Sequence, residues 1–342
     1  IRAGVDYTIS CGEMDVKSDL WIEANVTIAL DDKSALDIEG SMHAAGTSGN
    51  SVTFTSQNGA SENWGYINYR KDDPKNKLEN CIIKYGGGFT HEPGDEPSSV
   101  YTRYQTRLEM IGCSIQDGAG FGLNHSGRKS NMAMFDENTI INCKAPVRVA
   151  LEQAHQLSGT NYFSGHDTDA IFVINRNAGG SGIDDNVVWK NHFDIPYRIE
   201  NRLFVRSGHL TLNPGVTLLF EEGVTFDVGD FGDPGRLTAL GTQNDSIVFE
   251  GVQKYAGSWA GLDFEFTNSA SEIAFARIQH GGQENAIYMW GEPRLNVHDV
   301  VFKDIMNCAF YVAPSTSNPN GSLTESNNTT INVGNSYLCG AQ

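Results

Sequence analysis

Residues 257–266 read GSWAGLDFEF, and residues 62–71 read ENWGYINYRK. In each, a tryptophan is followed by an aliphatic residue, a short polar residue and an aromatic. These are Trp64, Ile67, Asn68 and Tyr69 in one, and Trp259, Leu262, Asp263 and Phe264 in the other, 195 positions apart. Working outward at the same offset, Val52-Thr53-Phe54 meets Ile247-Val248-Phe249, and Leu78, Ile83, Gly86 and Gly87 meet Ile273, Ile278, Gly281 and Gly282. Upstream the offset is 190: Val5 to Ile9 matches Ile195 to Ile199, and Leu20, Ile22, Val26, Thr27 and Ile28 match Leu210, Leu212, Val216, Thr217 and Leu218. The second copy therefore carries five inserted residues around Gly229 to Gly235. Downstream the offset falls to 187, with Leu108, Ile115, Asp117 and Leu123 facing Leu295, Phe302, Asp304 and Phe310. The first copy thus holds eight extra residues in or near Gly88 to Arg107. The chain divides into a first duplicated half, 1–190, and a second, incomplete half, 191–342.

A shorter rhythm runs inside each half. Cys81-Ile82-Ile83, Cys113-Ser114-Ile115 and Asn138-Thr139-Ile140 recur after 32 and then 25 residues. Alternating runs of four to six residues, such as Val26 to Leu30 and Val216 to Phe220, are separated by turn residues, and no long stretch has helical periodicity. Short strands at this period predict an all-β, single-stranded parallel β-helix of roughly 12–14 coils, in which each coil buries its apolar face against the next. A pair of β-sandwiches is the alternative, but the halves join without the Pro- or Ser-rich linker two sandwiches would have. One continuous β-helix over 1–342 is expected.

The strings Leu212-Asn213-Pro214-Gly215-Val216-Thr217-Leu218-Leu219-Phe220, Leu237 to Thr242, Ile247-Val248-Phe249 and Trp259-Ala260-Gly261-Leu262 carry a resemblance. They are similar to the right-handed parallel β-helix repeats of secreted bacterial surface proteins, a largely uncharacterised group. The resemblance implies a right-handed solenoid, secreted or displayed on a bacterial surface. It implies no activity, since pectin-degrading enzymes, tailspike-like proteins and adhesins share the fold.

Composition narrows the function. A formal charge of −18 repels nucleic acid and anionic membranes. No run of 18 apolar residues is present to span a bilayer. The chain opens on Ile1 rather than Met, which fits a removed leader or a trimmed terminus. None of the six cysteines forms a C-x-x-C pair, which argues against a zinc or redox motif. Cys81 and Cys113 occupy equivalent positions of successive coils; buried free thiols are favoured there, with a disulfide between neighbouring coils left open.

Several residues are candidate ligands. By strict alternation Trp64 lies with Asn68 and Trp259 with Asp263 on the outward face, a platform for a sugar ring. The competing and favoured reading is that a corner after each tryptophan resets the alternation and the indole packs inside. Asn80, Asn138 and Asn142 are expected to stack or to take left-handed turns, and His280 to be a hydrogen-bonded corner residue. The loop Gly88 to Arg107 breaks the rhythm and offers His91, Arg103 and Arg107 to a ligand, and Asp95 and Glu96 to a cation such as Ca2+. Asp230 and Asp233 form a second acidic loop of the same kind, without the nonapeptide of calcium-binding β-rolls. A galacturonase-like set is absent, because Gly165-His166-Asp167 precedes Asp184-Asp185 and there is no Asn-Thr-Asp. The leading expectation is a monomeric, non-catalytic, adhesin-like protein that binds glycans or surface proteins. A polysaccharide lyase or glycoside hydrolase acting near 88–107, and a structural spacer, are the alternatives.

Overall fold

A computed structural model describes residues 6–177, 180–191, 194–266, 270–291, 293–314 and 322–340. Val5, part of the first repeat match, lies outside them. The chain is all-β, 52% strand and 3% helix, a parallel β-solenoid of about 13 turns. Contacts divide it into two compact units, Ile1–Ile171 and Phe172–Gln342.

The first unit has three strand stacks. One runs Asp6–Ile9, Thr27–Leu30, Val52–Ser56, Cys81–Lys84, Ser114–Gln116, Thr139–Ile141, Tyr162–Ser164. The second runs Asp19–Glu23, Ser41–Ala45, Lys77–Glu79, Arg107–Ile111, Asn131–Asp136. The third stacks Glu13–Val16, Ala35–Ile38, Ile67–Tyr69, Ser98–Thr102, Phe121–His125 and Ala145–Ala150 in parallel register. The second unit repeats that third stack as Leu203–Val205, Thr225–Val228, Gly261–Glu265, Asn285–Trp290, Cys308–Val312 and Leu338–Gly340. Ser271–Gln279 is long enough to pair with both Arg236–Leu240 and Ile247–Gly251, turning at Phe275, whose φ is +47°.

Alternation explains the core. Thr27–Leu30 and Thr217–Phe220 both show every second side chain buried, and successive coils stack these apolar positions about 4.8 Å apart. Corners need left-handed backbone, which short polar residues tolerate. Asn80 and Asn142 adopt φ of +48° and +54°. Asn138 stacks instead: its amide donates to Met110 O, and its Oδ1 accepts from Cys113 N at 3.0 Å. His280 turns a corner at φ +59°, with Nδ1 3.0 Å from Glu250 Oε1.

The outward-tryptophan reading is corrected. Trp64 and Trp259 are both 0% exposed, so neither ring has a face to offer a ligand. Their indole N–H groups donate to the main-chain oxygens of Lys84 (2.7 Å) and Gln279 (3.0 Å). Each tryptophan stands before its strand, at a corner, where alternation does not apply. Phe220 stacks on Trp259 at 4.3 Å, and a Cβ on Gly281 would lie 2.5 Å from its Nε1. Gly281 thus leaves the space the Trp259 indole fills.

Cys81, Cys113 and Cys143 are buried free thiols, as the stacking reading expects, and Cys81 N–H donates to Cys113 Sγ at 3.4 Å. Cys11 is free and exposed. Cys308 and Cys339, on neighbouring strands, form a disulfide.

Candidate functional site

In a stacked parallel sheet, residues in register form a row, one per coil. The third stack of the first unit carries the outward row Asp15, Asp37, Asn68, Tyr101, Asn124, Arg148. The matching stack of the second unit carries Asp227, Asp263, Tyr288, Tyr311. The duplication offsets align Asp37 with Asp227, Asn68 with Asp263, and Tyr101 with Tyr288. One polar row has been written twice.

The two copies differ in what covers them. In the first unit Asp37, Asn68, Tyr101 and Asn124 are each no more than 1% exposed, although they point away from the core. At Tyr101 and its neighbour Tyr66, part of that cover is the extra segment after Gly87. Phe89 packs edge-on against Tyr66, entering where a Cβ on Gly65 would lie 2.4 Å from its ring. His91 Nδ1 lies 3.0 Å from the Tyr66 hydroxyl, which itself donates to Glu13. Tyr101 donates to Glu96 O at 2.5 Å, and Lys144 Nζ reaches Glu96 Oε2 at 2.6 Å. Asp37 accepts from Asn68 Nδ2 and from Arg70 Nη1, both at 2.7 Å.

These contacts revise the expected loop site. Asp95 is ion-paired with Arg103, which also reaches Glu92 at 2.9 Å, and Glu96 is paired with Lys144. His91 and Arg103 tie the loop down. Arg107 belongs to a different stack, paired with Glu109 at 3.1 Å. Asn68 is buried and committed to Asp37. Asp230 and Asp233 exchange two backbone hydrogen bonds across a turn, and Asp230 Oδ1 accepts from Phe231 N. Among the described residues, the group of three carboxylates close enough to share a cation is Glu13, Asp15 and Asp37, with oxygens within 4.8 Å. None of the four acidic residues expected from sequence belongs to it.

In the second unit the row is open. Asp263, Tyr288 and Tyr311 are all partly exposed, and the two tyrosine rings stack at 5.4 Å. Asp227 is 8% exposed and accepts from Arg202 Nε, while the Arg202 guanidinium lies 4.1 Å over Phe204. Burial pushes the Asp263 carboxyl up to about 7, and the like charges of Asp227, Glu265 and Glu284 push the same way. Burial also raises Asp227, against the opposing pull of Arg202. Glu265, on the Asp263 strand, is raised by burial and by Asp230 and Asp227.

Aromatics flank these carboxyls. Phe231 (81% exposed) meets Phe266 edge-on at 5.2 Å, and Phe266 meets Trp290 (45% exposed) at 4.6 Å. Phe231 and Phe266 border a cavity of about 280 Å3 with Gly232, Pro234 and Gly291. A Cβ on Gly291 would lie 2.5 Å from the Phe266 ring, so glycine makes the place for it. Asp263 was expected from sequence; its neighbours Asp227, Glu265, Phe266 and Trp290 were not. The signal available was the alignment of Asp37 with Asp227, next to an insertion containing Phe231.

A scan against protein-family models, a search of curated proteins and a search of solved structures each find no match for this chain.

Proposed function

We propose that the protein is a non-catalytic glycan-binding solenoid, and that its binding face is the open row of the second unit. The observation that carries this reading is the exposed Phe231–Phe266–Trp290 cluster beside Asp263 and Glu265. Apolar ring faces next to hydrogen-bonding carboxyls are what a sugar needs, since its C–H face packs on an aromatic while its hydroxyls donate to oxygen. The Cys308–Cys339 disulfide supports an oxidising compartment, in keeping with a secreted or surface protein.

A second reading is favoured by one specific observation. Asp263 holds its proton near neutrality beside Asp227, whose carboxyl accepts from Arg202 Nε. Two neighbouring carboxyls, one raised to neutrality and the other held by a guanidinium, are the kind of pair that serves as general acid and nucleophile or base in glycoside hydrolysis.

One experiment separates the two. Wild type, Trp290→Ala and Asp263→Asn are screened against neutral and acidic polysaccharides for retention in affinity gels and for release of reducing ends. Binding weakened about tenfold by Trp290→Ala, without new reducing ends, is the expected result. Reducing ends that vanish in Asp263→Asn transfer the assignment to a hydrolase. Retention unaffected by Trp290→Ala removes the binding face.

A further inference from the structure

The duplication also copies a corner, and the two copies have opposite chemistry. The second-unit corner is the aromatic cavity described above, which contains Phe266 and Gly291. By the duplication offsets these align with Lys71 and Tyr104 of the first unit. There a cavity of about 560 Å3 is lined by Arg70, Lys71, Arg128, Lys129, Tyr104 and Asp72, among others. Four cations meet one carboxylate among these six, in a chain whose formal charge is −18.

The cations are not all accounted for by internal pairs. Arg70 is held by Asp37 at 2.7 Å, and Lys71 lies 3.8 Å from Asp73. Arg128 and Lys129 are exposed and make no ion pair among the described residues. The turn that carries them is fixed. Ser130 N–H donates to Gly127 O at 3.1 Å, and Gln153 Nε2 donates to the same oxygen at 2.9 Å. Ser130 Oγ donates to Tyr104 O at 2.7 Å, which ties this turn to the one bearing Tyr104. A Cβ on Gly127 would lie 2.5 Å from Thr102 O, so the two turns touch because residue 127 has no side chain. Tyr104 is 52% exposed on left-handed backbone at φ +56°, and the Arg70 guanidinium lies 6.0 Å from its ring centre.

We propose that this first-unit corner binds the oxyanion of an acidic sugar, either a uronate carboxylate or a sulfate ester. Arg128 and Lys129 pair with the anion, and Tyr104 supplies the ring face. A guanidinium and an ammonium on one short turn hold an oxyanion without desolvating a deep site. A ring beside them selects a sugar over a free inorganic ion. A polyphosphate duplex fits poorly, because the charge of the remaining surface repels it. The corner rests on the reading of the protein as glycan-binding and extends it to a charge class that the acidic second-unit face does not favour.

The test measures affinity for polygalacturonate, dextran sulfate, neutral dextran and a single-stranded oligonucleotide. It compares wild type, the double variant Arg128→Gln/Lys129→Gln, Tyr104→Ala and the remote control Lys33→Gln. The expected result is a loss of about tenfold or more in the double variant and in Tyr104→Ala for one of the two acidic polymers. Lys33→Gln is expected to leave it unchanged. The polymer that responds identifies carboxylate or sulfate as the anion. Equal losses in Lys33→Gln, an unaffected double variant, or tighter binding of the oligonucleotide than of both acidic polymers overturns the proposal. Wild type that holds a neutral glycan but neither acidic polymer removes this corner and spares the glycan reading. Wild type that holds no polysaccharide removes both.

Discussion

Replacing Asp263 by Asn isolates the most perturbed carboxyl of the open face. Folded, its carboxyl titrates at about 7 instead of the ordinary 3.8. Burial is the main cause, and the charges of Asp227, Glu265 and Glu284 add to it. Between those two values the folded chain keeps a proton that the unfolded chain has released. Stability therefore falls as pH rises from about 4 to about 7 and levels off above, the reverse of a salt-bridged aspartate. Each pH unit in that window is worth about 1.4 kcal/mol, so ionised Asp263 costs the fold up to about 4 kcal/mol. Asp227 is raised too and tilts the curve the same way. Asp263→Asn keeps the shape and removes the charge, so it is expected to gain about 2–4 kcal/mol at about pH 8 and almost nothing near pH 4. Stacked repeats unfold less than all-or-none, so the informative quantity is the difference between variant and wild-type urea midpoints at each pH, followed by tryptophan fluorescence. A 13C titration of the Asp263 carboxyl checks the cause directly. A wild type equally stable at both pH values, a variant with an unchanged pH slope, or a carboxyl midpoint near 4 refutes the reasoning.

Two further outcomes follow from packing and connectivity. Trp259→Ala empties a fully enclosed site against Phe220 and is expected to cost about 3–5 kcal/mol in thermal or urea unfolding, with glycan retention by the folded fraction unchanged; retention lost at unchanged stability would restore the platform reading. Replacing Cys308 and Cys339 by Ser opens a loop of 31 residues and is expected to cost about 3–4 kcal/mol, seen as a lower midpoint that reductant no longer shifts.

The solenoid was legible because its register is written in the offsets. Cys81-Ile82-Ile83 recurs as Cys113-Ser114-Ile115 after 32 residues, and Ile83 and Ile115 sit side by side on neighbouring coils in the structure. Period-2 alternation then placed Ile67 and Leu262 inside. It failed at Trp64 and Trp259, because both precede their strands and the backbone turns before alternation begins. The outward row was half legible: Asp263 and Asn68 were singled out, but their burial was not. What covers their row-mate Tyr101 includes a loop folded back over its own sheet, and spacing along a chain carries no record of that. The cationic corner was missed for a related reason. Arg70-Lys71, Tyr104 and Arg128-Lys129 come from three successive coils at irregular intervals. Two dibasic pairs in so acidic a chain were the one clue.

The cover over Tyr66 and Tyr101 has a consequence for change over time. A coil leans on the coils above and below it, so a loop leaving one corner is free to lengthen without repacking the interior. Gly65 and Gly87 seat the base of this loop, while its tip makes contacts that polar side chains replace readily. Grafting residues 88–97 from the first copy into the matching turn of the second would place the same fitting beside Tyr288, the counterpart of Tyr101. The solenoid is in this sense a chassis with interchangeable fittings, and its two copies show the same mounting point with a fitting attached and with it left bare.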